Sequence, residues 1–169
     1  RVFFERLELL PPSSVSFALL RLCALPRLNF LLRCHTPATT ERTAKQFDER
    51  IAQTLFTWAA VSPTDTLAKQ AALPTKMGGL GLTPQLAVAP FAFAASSAAA
   101  FRRLRRGPAQ ADEQPQPPTQ EAATQEFHKN LRENLLRDNP GLKKHLGECA
   151  EKGAALWLTA ARFHFTGPA

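Results

Sequence analysis

Four histidines and three cysteines are the residues of this sequence whose side chains could support catalysis or hold a metal. They are His35, His128, His145, His164, Cys23, Cys34 and Cys149. None of the histidines has a partner at a spacing typical of a catalytic site, so we expect all four to be structural. The cysteines form no CxxC pair, which argues against a disulfide framework or a zinc site. The pairs Cys34–His35 and His145–Cys149 leave a scattered metal site open, but buried free thiols are the favoured interpretation. We therefore expect no catalytic residue, metal or cofactor.

A second kind of chemistry is phosphate binding by cationic side chains. The chain has 21 Lys and Arg against 14 Asp and Glu, a net charge of +7, which favours a polyanionic partner such as nucleic acid. Arginine forks match phosphate oxygens, and several together bind through counterion release without reading sequence. The candidate contacts are Arg21, Arg27, Arg33, Lys69, Lys76, Arg102, Arg103, Arg105 and Arg106. For the last four, stabilising a helix C-terminus is an equally good interpretation.

The elements that would position these residues are predicted to be helices. An apolar stripe at residues 15–25 follows a proline and serine entry and should end at Pro26, whose ring clashes with the preceding turn. A short helix is then expected to bury Leu28, Phe30, Leu31 and Leu32 between Arg27 and Arg33. Residues 44–59 give the clearest helical periodicity, and we expect residues 15–32 to pack against them.

The polar side of residues 44–59 has mixed charges, including Asp48, and is predicted to be a solvated surface. Thr64 or Asp65 is expected near the start of the next short helix, before a glycine-rich stretch. Residues 2–10 are the one candidate for a strand.

The second half of the chain predicts a long helix, a linker and amphipathic helices. Residues 84–106 are rich in alanine and contain Pro90, and residues 107–119 have the proline-rich, polar composition of a flexible linker. Amphipathic helices follow, broken at residues 139–141, and then an apolar segment at residues 153–165. The predicted fold is an all-α, irregular multi-helix bundle with a glycine-rich connector. Its parts are a helical domain at 1–106, the linker at 107–119 and a helical segment at 120–169.

Targeting and membrane signals are expected to be absent. Arg21, Pro26 and Arg27 interrupt the apolar run at residues 17–32, so we expect no membrane span. The chain begins with Arg and shows no signal-peptide pattern, which favours a fragment, a processed product or the ordered part of a larger protein. We expect an intracellular location, with the compartment left open.

The stretch LPTKMGGLGL, residues 73–82, has three glycines within four positions. It lacks the GxxxxGK[ST] spacing of a phosphate loop, and no buried strand precedes it. Two adjacent glycines allow positive φ or close backbone approach, and the leucines can anchor the segment in a core. We interpret it as a sharp structural connector between helices.

An ordered set of motifs resembles a known family. LLRLCALPRLNFLLRCHTP is followed by FDERI, ALPTKMGGLGL, AFAASSAAAF and GAALWLTA. This order is similar to the region after the polymerase palm in reverse transcriptases of non-LTR retrotransposons. The resemblance implies a thumb and post-thumb helical region that grips the template–primer duplex, and a zinc knuckle further on.

Departures from the family limit what the resemblance implies. No adjacent pair of aspartates occurs, so we do not expect the chain to polymerise by itself, although it could belong to an RNA-directed DNA polymerase. The leading hypothesis is a non-catalytic module that binds RNA or a nucleic-acid duplex. The alternative is a recruited, retroelement-derived subunit of a large ribonucleoprotein assembly, held by other protein subunits.

Overall fold

The computed structural model describes residues 2–105 and 119–151, with only the backbone of Arg105. Within these ranges all regular secondary structure is helical, which confirms the all-α prediction. The helices are α1 (Val2–Glu8), α2 (Ser14–Leu19), α3 (Asn29–Cys34), α4 (Pro37–Ala59), α5 (Asp65–Ala72), α6 (Gln85–Arg105), α7 (Gln120–Asp138) and α8 (Leu142–Ala150). Arg106, residues 107–118 of the predicted linker and the apolar segment at 153–165 lie outside the described residues.

The candidate strand at residues 2–10 is a helix instead. Phe4 and Leu7 are buried three positions apart, which matches a helical period and not the two-residue period of a strand. Both side chains pack with Phe17, Leu20 and Ile51 in a first core.

The predicted break at Pro26 was wrong, because helical backbone continues from α2 to α3. Residues Leu20–Ala24 form a π-helical turn and Leu25–Leu28 a 3₁₀ turn that has Pro26 in its first positions. Proline has no N–H group, and the N–H groups of a first helical turn have no partner inside the helix. Because a new helix type starts at Leu25, Pro26 falls in such a first turn and is accommodated. The continuous stretch Ser14–Cys34 is therefore long and apolar enough to cross a membrane, contrary to our expectation. The core helix of a soluble protein can have the same length and composition.

A second core confirms the predicted packing of residues 15–32 against residues 44–59. Leu28 and Leu32 contact Ala44 of α4 and Val88, Ala89 and Ala92 of α6. The small side chains of α6 allow α3 and α4 to approach it closely. Phe30 and Leu31 were expected in this core, but they are 74% and 39% exposed because Leu28 of the 3₁₀ turn and Leu32 of α3 form the face that meets α6.

Asp48 of α4 holds the beginning of α6. Its carboxylate oxygens accept hydrogen bonds from the backbone N–H groups of Gln85, at 2.7 Å, and Leu86, at 2.9 Å. These are first-turn donors that have no partner inside the helix. Burial raises the pKa of Asp48, and the two backbone hydrogen bonds oppose this shift. The predicted solvated surface is therefore partly an inter-helix contact.

The glycine-rich stretch is a connector, as expected, and it joins the first core to a third. Leu80 and Leu82 pack in the first core, whereas Leu73 and Met77 pack with buried Leu135 and Leu146 of α7 and α8. The helices α7 and α8 are separated at residues 139–141, which confirms the predicted break.

Two connector glycines are required by their surroundings. Gly78 has a φ of +89°, and a Cβ placed there would lie 2.5 Å from the carbonyl oxygen of Leu146 in α8. A Cβ on Gly79 would overlap the carbonyl oxygens of Leu73 and Gln70. The absence of side chains therefore lets α8 and the end of α5 pack directly on the connector backbone.

Candidate nucleic-acid interface

Three of the predicted cationic contacts line one groove. Arg33 comes from the last turn of α3, and Arg102 and Arg103 come from the C-terminal part of α6. The packing of α3 alongside α6 in the second core brings these arginines to the same edge of the molecule. We call this feature the arginine groove. Its volume is about 710 Å³. The other lining residues are Ala95, Ser96, Ala99, Ala100, Leu104, Thr119 and Gln120.

The N-terminus of α7 borders the arginine groove. Thr119 is the N-cap of this helix, and its hydroxyl oxygen accepts a hydrogen bond from the backbone N–H of Ala122 at 3.2 Å. A helix N-terminus has a partial positive charge and favours an anion nearby. The small side chains of α6 form one wall of the groove.

The three arginines differ in their contacts. The Nε and Nη2 atoms of Arg33 donate to the amide oxygen of Gln120 at 3.3 and 3.1 Å. Arg102 donates through Nε to the carbonyl of Ala98, at 3.4 Å, within its own helix. Arg103 is exposed in the groove.

Arg21, Arg27 and Lys69 lie outside the arginine groove and have structural contacts. The guanidinium of Arg21 covers Gly81, whose φ is +73°, and the guanidinium carbon of Arg27 lies 4.1 Å from the centre of the Phe3 ring. Lys69 pairs with Asp65 at 2.6 Å and with Asp138 at 3.7 Å.

The contacts of Lys69 shift its pKa. The hydrogen bond to Asp65 is the main reason why the pKa of Lys69 is raised. Lys76 is exposed on the connector. The side chain of Arg105 and all of Arg106 are outside the described part of the chain.

The expectation of buried thiols was wrong. Cys23 and Cys34 are exposed and Cys149 is half-buried, because the packed faces of their helices are formed by neighbouring leucines and alanines. Cys149 Sγ lies 3.6 Å from Nε2 of His145, and both line an apolar groove of about 510 Å³ between α4, α5, the connector and α8. No group of three metal-binding side chains occurs among the described residues.

Three polar residues that join separate elements were not predicted from the sequence. Asp48 was assigned to a solvated surface, and no role was predicted for Gln120. His128 of α7 is buried and shares a 2.8 Å hydrogen bond with the hydroxyl of Thr83. Burial, and then the positive charge of Lys76, lower the pKa of His128. A polar residue at a buried position of an apolar stripe is the signal that could have identified His128.

Comparison with known proteins gives one informative similarity. The chain is 36% identical over 92 residues to the "Retrotransposable element SLACS 132 kDa protein" of Trypanosoma brucei gambiense. The matched region covers 54% of this chain and 8% of that protein's length. No family model and no solved structure matches the chain. The similarity supports a retrotransposon-related origin for this chain.

Proposed function

We propose that this chain is a non-catalytic nucleic-acid-binding module, comparable to a reverse transcriptase thumb, that holds phosphates of RNA or of a duplex in the arginine groove. The observation that carries the proposal is the convergence of Arg33, Arg102 and Arg103 from two packed helices on one groove. A net charge of +7 and a retrotransposon-related origin are compatible with it.

The physical basis is charge neutralisation without base recognition. Each guanidinium can donate two parallel hydrogen bonds to a phosphate and releases condensed counterions when it does so. The wall of alanines and Ser96 offers few groups that could read base edges. We therefore expect binding that depends steeply on salt and weakly on sequence.

The test compares two triple variants of equal charge. The groove variant carries Arg33→Gln, Arg102→Gln and Arg103→Gln. The control carries Arg42→Gln, Lys45→Gln and Lys144→Gln at exposed positions that do not line the groove. Affinity for a mixed-sequence DNA duplex is measured by fluorescence anisotropy over a range of salt concentrations, and helix content is checked by circular dichroism.

The groove variant should bind more weakly, and its slope of log affinity against log salt should fall by about 0.9 for each phosphate that it no longer neutralises. The control variant should keep the wild-type slope more closely. Equal slopes in the two variants would contradict the proposal, because the groove would then contribute no more than any other surface charge.

A second candidate function is that of a scaffold held by other protein subunits. Large apolar side chains are exposed at Phe30 (74%) of α3 and at Phe101 (63%) and Leu104 (82%) of α6, and Leu104 lines the arginine groove. Exposed apolar patches mark protein–protein interaction sites. This function gains support if the wild-type chain shows no salt-dependent binding to the duplex or to folded RNA.

A further inference from the structure

The side chain of Gln120 is hydrogen-bonded to the edge of the Arg33 guanidinium that is best suited to bind phosphate. Both donors on the Nε–Nη2 edge of the guanidinium point to one amide oxygen. That edge can chelate two oxygens of a carboxylate or phosphate in parallel. In the absence of nucleic acid, the edge is therefore held by a neutral acceptor from the other side of the groove.

The side chain of Gln120 is not needed to start α7. Thr119 caps the helix through Ala122, and the backbone carbonyl of Gln120, not its side chain, accepts from Thr124 at 2.7 Å. Further along, Leu135 is fully buried in the third core and fixes α7 to the molecule. Removing the amide should therefore leave the helix in place.

We infer that Gln120 sets the affinity of the arginine groove by competing with phosphate for Arg33. This inference rests on the proposed function. A phosphate replaces the amide because an ionised acceptor forms hydrogen bonds roughly twice as strong as a neutral one. Binding then carries the cost of breaking the contact between Arg33 and Gln120, and it frees the side chain of Gln120 from α3.

The competition predicts opposite effects for two substitutions at one position. Gln120→Ala removes the competitor and should raise duplex affinity about two- to tenfold, which is the equivalent of one neutral hydrogen bond. Gln120→Glu introduces a charged competitor and should lower affinity. Gln125→Ala is the matched control, because the amide of Gln125 donates to Glu121 on the same helix, away from Arg33.

The measurements are duplex affinity by anisotropy and the NMR signal of the Gln120 side-chain amide, assigned by its absence in Gln120→Ala. Adding the duplex to the wild-type chain should shift this signal. If Gln120→Ala binds as the wild type does or more weakly, and the amide signal stays fixed, the inference is overturned. The groove triple variant separates the two failures, because its weaker binding would leave the proposed function standing.

Discussion

The buried imidazole of His128 makes the docking of α7 sensitive to acid. Its ring lies in a polar contact with Thr83, beside the positive charge of Lys76, and both burial and that charge lower its pKa below the ordinary value. The unfolded chain therefore binds a proton more readily than the folded chain. The stabilising effect of the neutral ring is complete above a pH of about 6.5 and is lost as the pH falls through the folded-state pKa.

We expect the free energy of unfolding of the wild-type chain to decrease as the pH is lowered from about 7.5 to about 5.5. His128→Gln keeps a polar group near Thr83 but cannot take up a proton, so its unfolding free energy should depend less on pH. Lys76→Gln should also weaken the dependence, because it removes a charge that opposes protonation. Urea titrations at several pH values measure the effect, and parallel profiles for all three proteins would contradict it.

Residue-scale contacts were the part of the site that the sequence could not predict. The arginines were identified as candidates from their charge alone, but their grouping depends on how α3 packs on α6. The partners of Asp48, His128 and Gln120 lie 37, 45 and 87 positions away in the sequence. The local spacing of residues cannot predict such pairs, because it is the packing of the apolar helix faces that brings them together.

At the scale of elements, the connector between α5 and α6 contains the described glycines that lie closest to other backbone atoms. Backbone N–H groups of the connector form hydrogen bonds with the end of α5. Gly81 N donates to Leu73 O at 2.7 Å, and Leu82 N donates to Ala71 O at 3.0 Å. Gly79 lies inside this turn, where a Cβ would overlap two carbonyl oxygens. Backbone atoms cannot move aside as a flexible side chain can.

Two glycine-to-alanine substitutions should therefore have opposite effects on stability. Gly79→Ala should destabilise the fold by about 1–3 kcal/mol or more, because the new methyl group forces the connector away from α5. Gly147→Ala, at an exposed position inside α8 with nothing within 4 Å of the added Cβ, should stabilise by about 0.5–1 kcal/mol. Denaturant unfolding of both variants provides the comparison. Equal effects would mean that the connector relaxes around the methyl group.

Elements with strong periodicity were predictable and irregular ones were not. The packing of residues 15–32 against 44–59 follows from apolar stripes that neither segment can bury alone. Passage through Pro26 was not predicted, because a proline signals a break only if the helix type stays constant. Here the π-helical and 3₁₀ turns change the hydrogen-bond pattern just where the proline lacks its donor.

At the scale of the whole molecule, the described residues form three cores, of which the connector links the first and the third, while Phe47 of α4 packs against the first and the second. The first core joins α1, α2 and α4, the second joins α3, α4 and α6, and the third joins the connector to α7 and α8. Residues 73–82 contribute leucines to the first and third cores on either side of the paired glycines. Loss of packing in the third core should therefore destabilise the first core, although most of the chain separates α1 from α8 in the sequence.

Leu146→Ala tests this coupling. Leu146 is fully buried beside Leu73 and Leu135, so its truncation should cost about 2–5 kcal/mol. Trp58 packs against the first core and reports on it when the other tryptophan, Trp157, is replaced by Phe. In that background, Leu146→Ala should move the urea midpoint of Trp58 fluorescence and of the circular dichroism signal together. If the fluorescence midpoint stays in place while the dichroism shows an earlier, smaller transition, α7 and α8 unfold independently and the connector does not transmit stability between the cores.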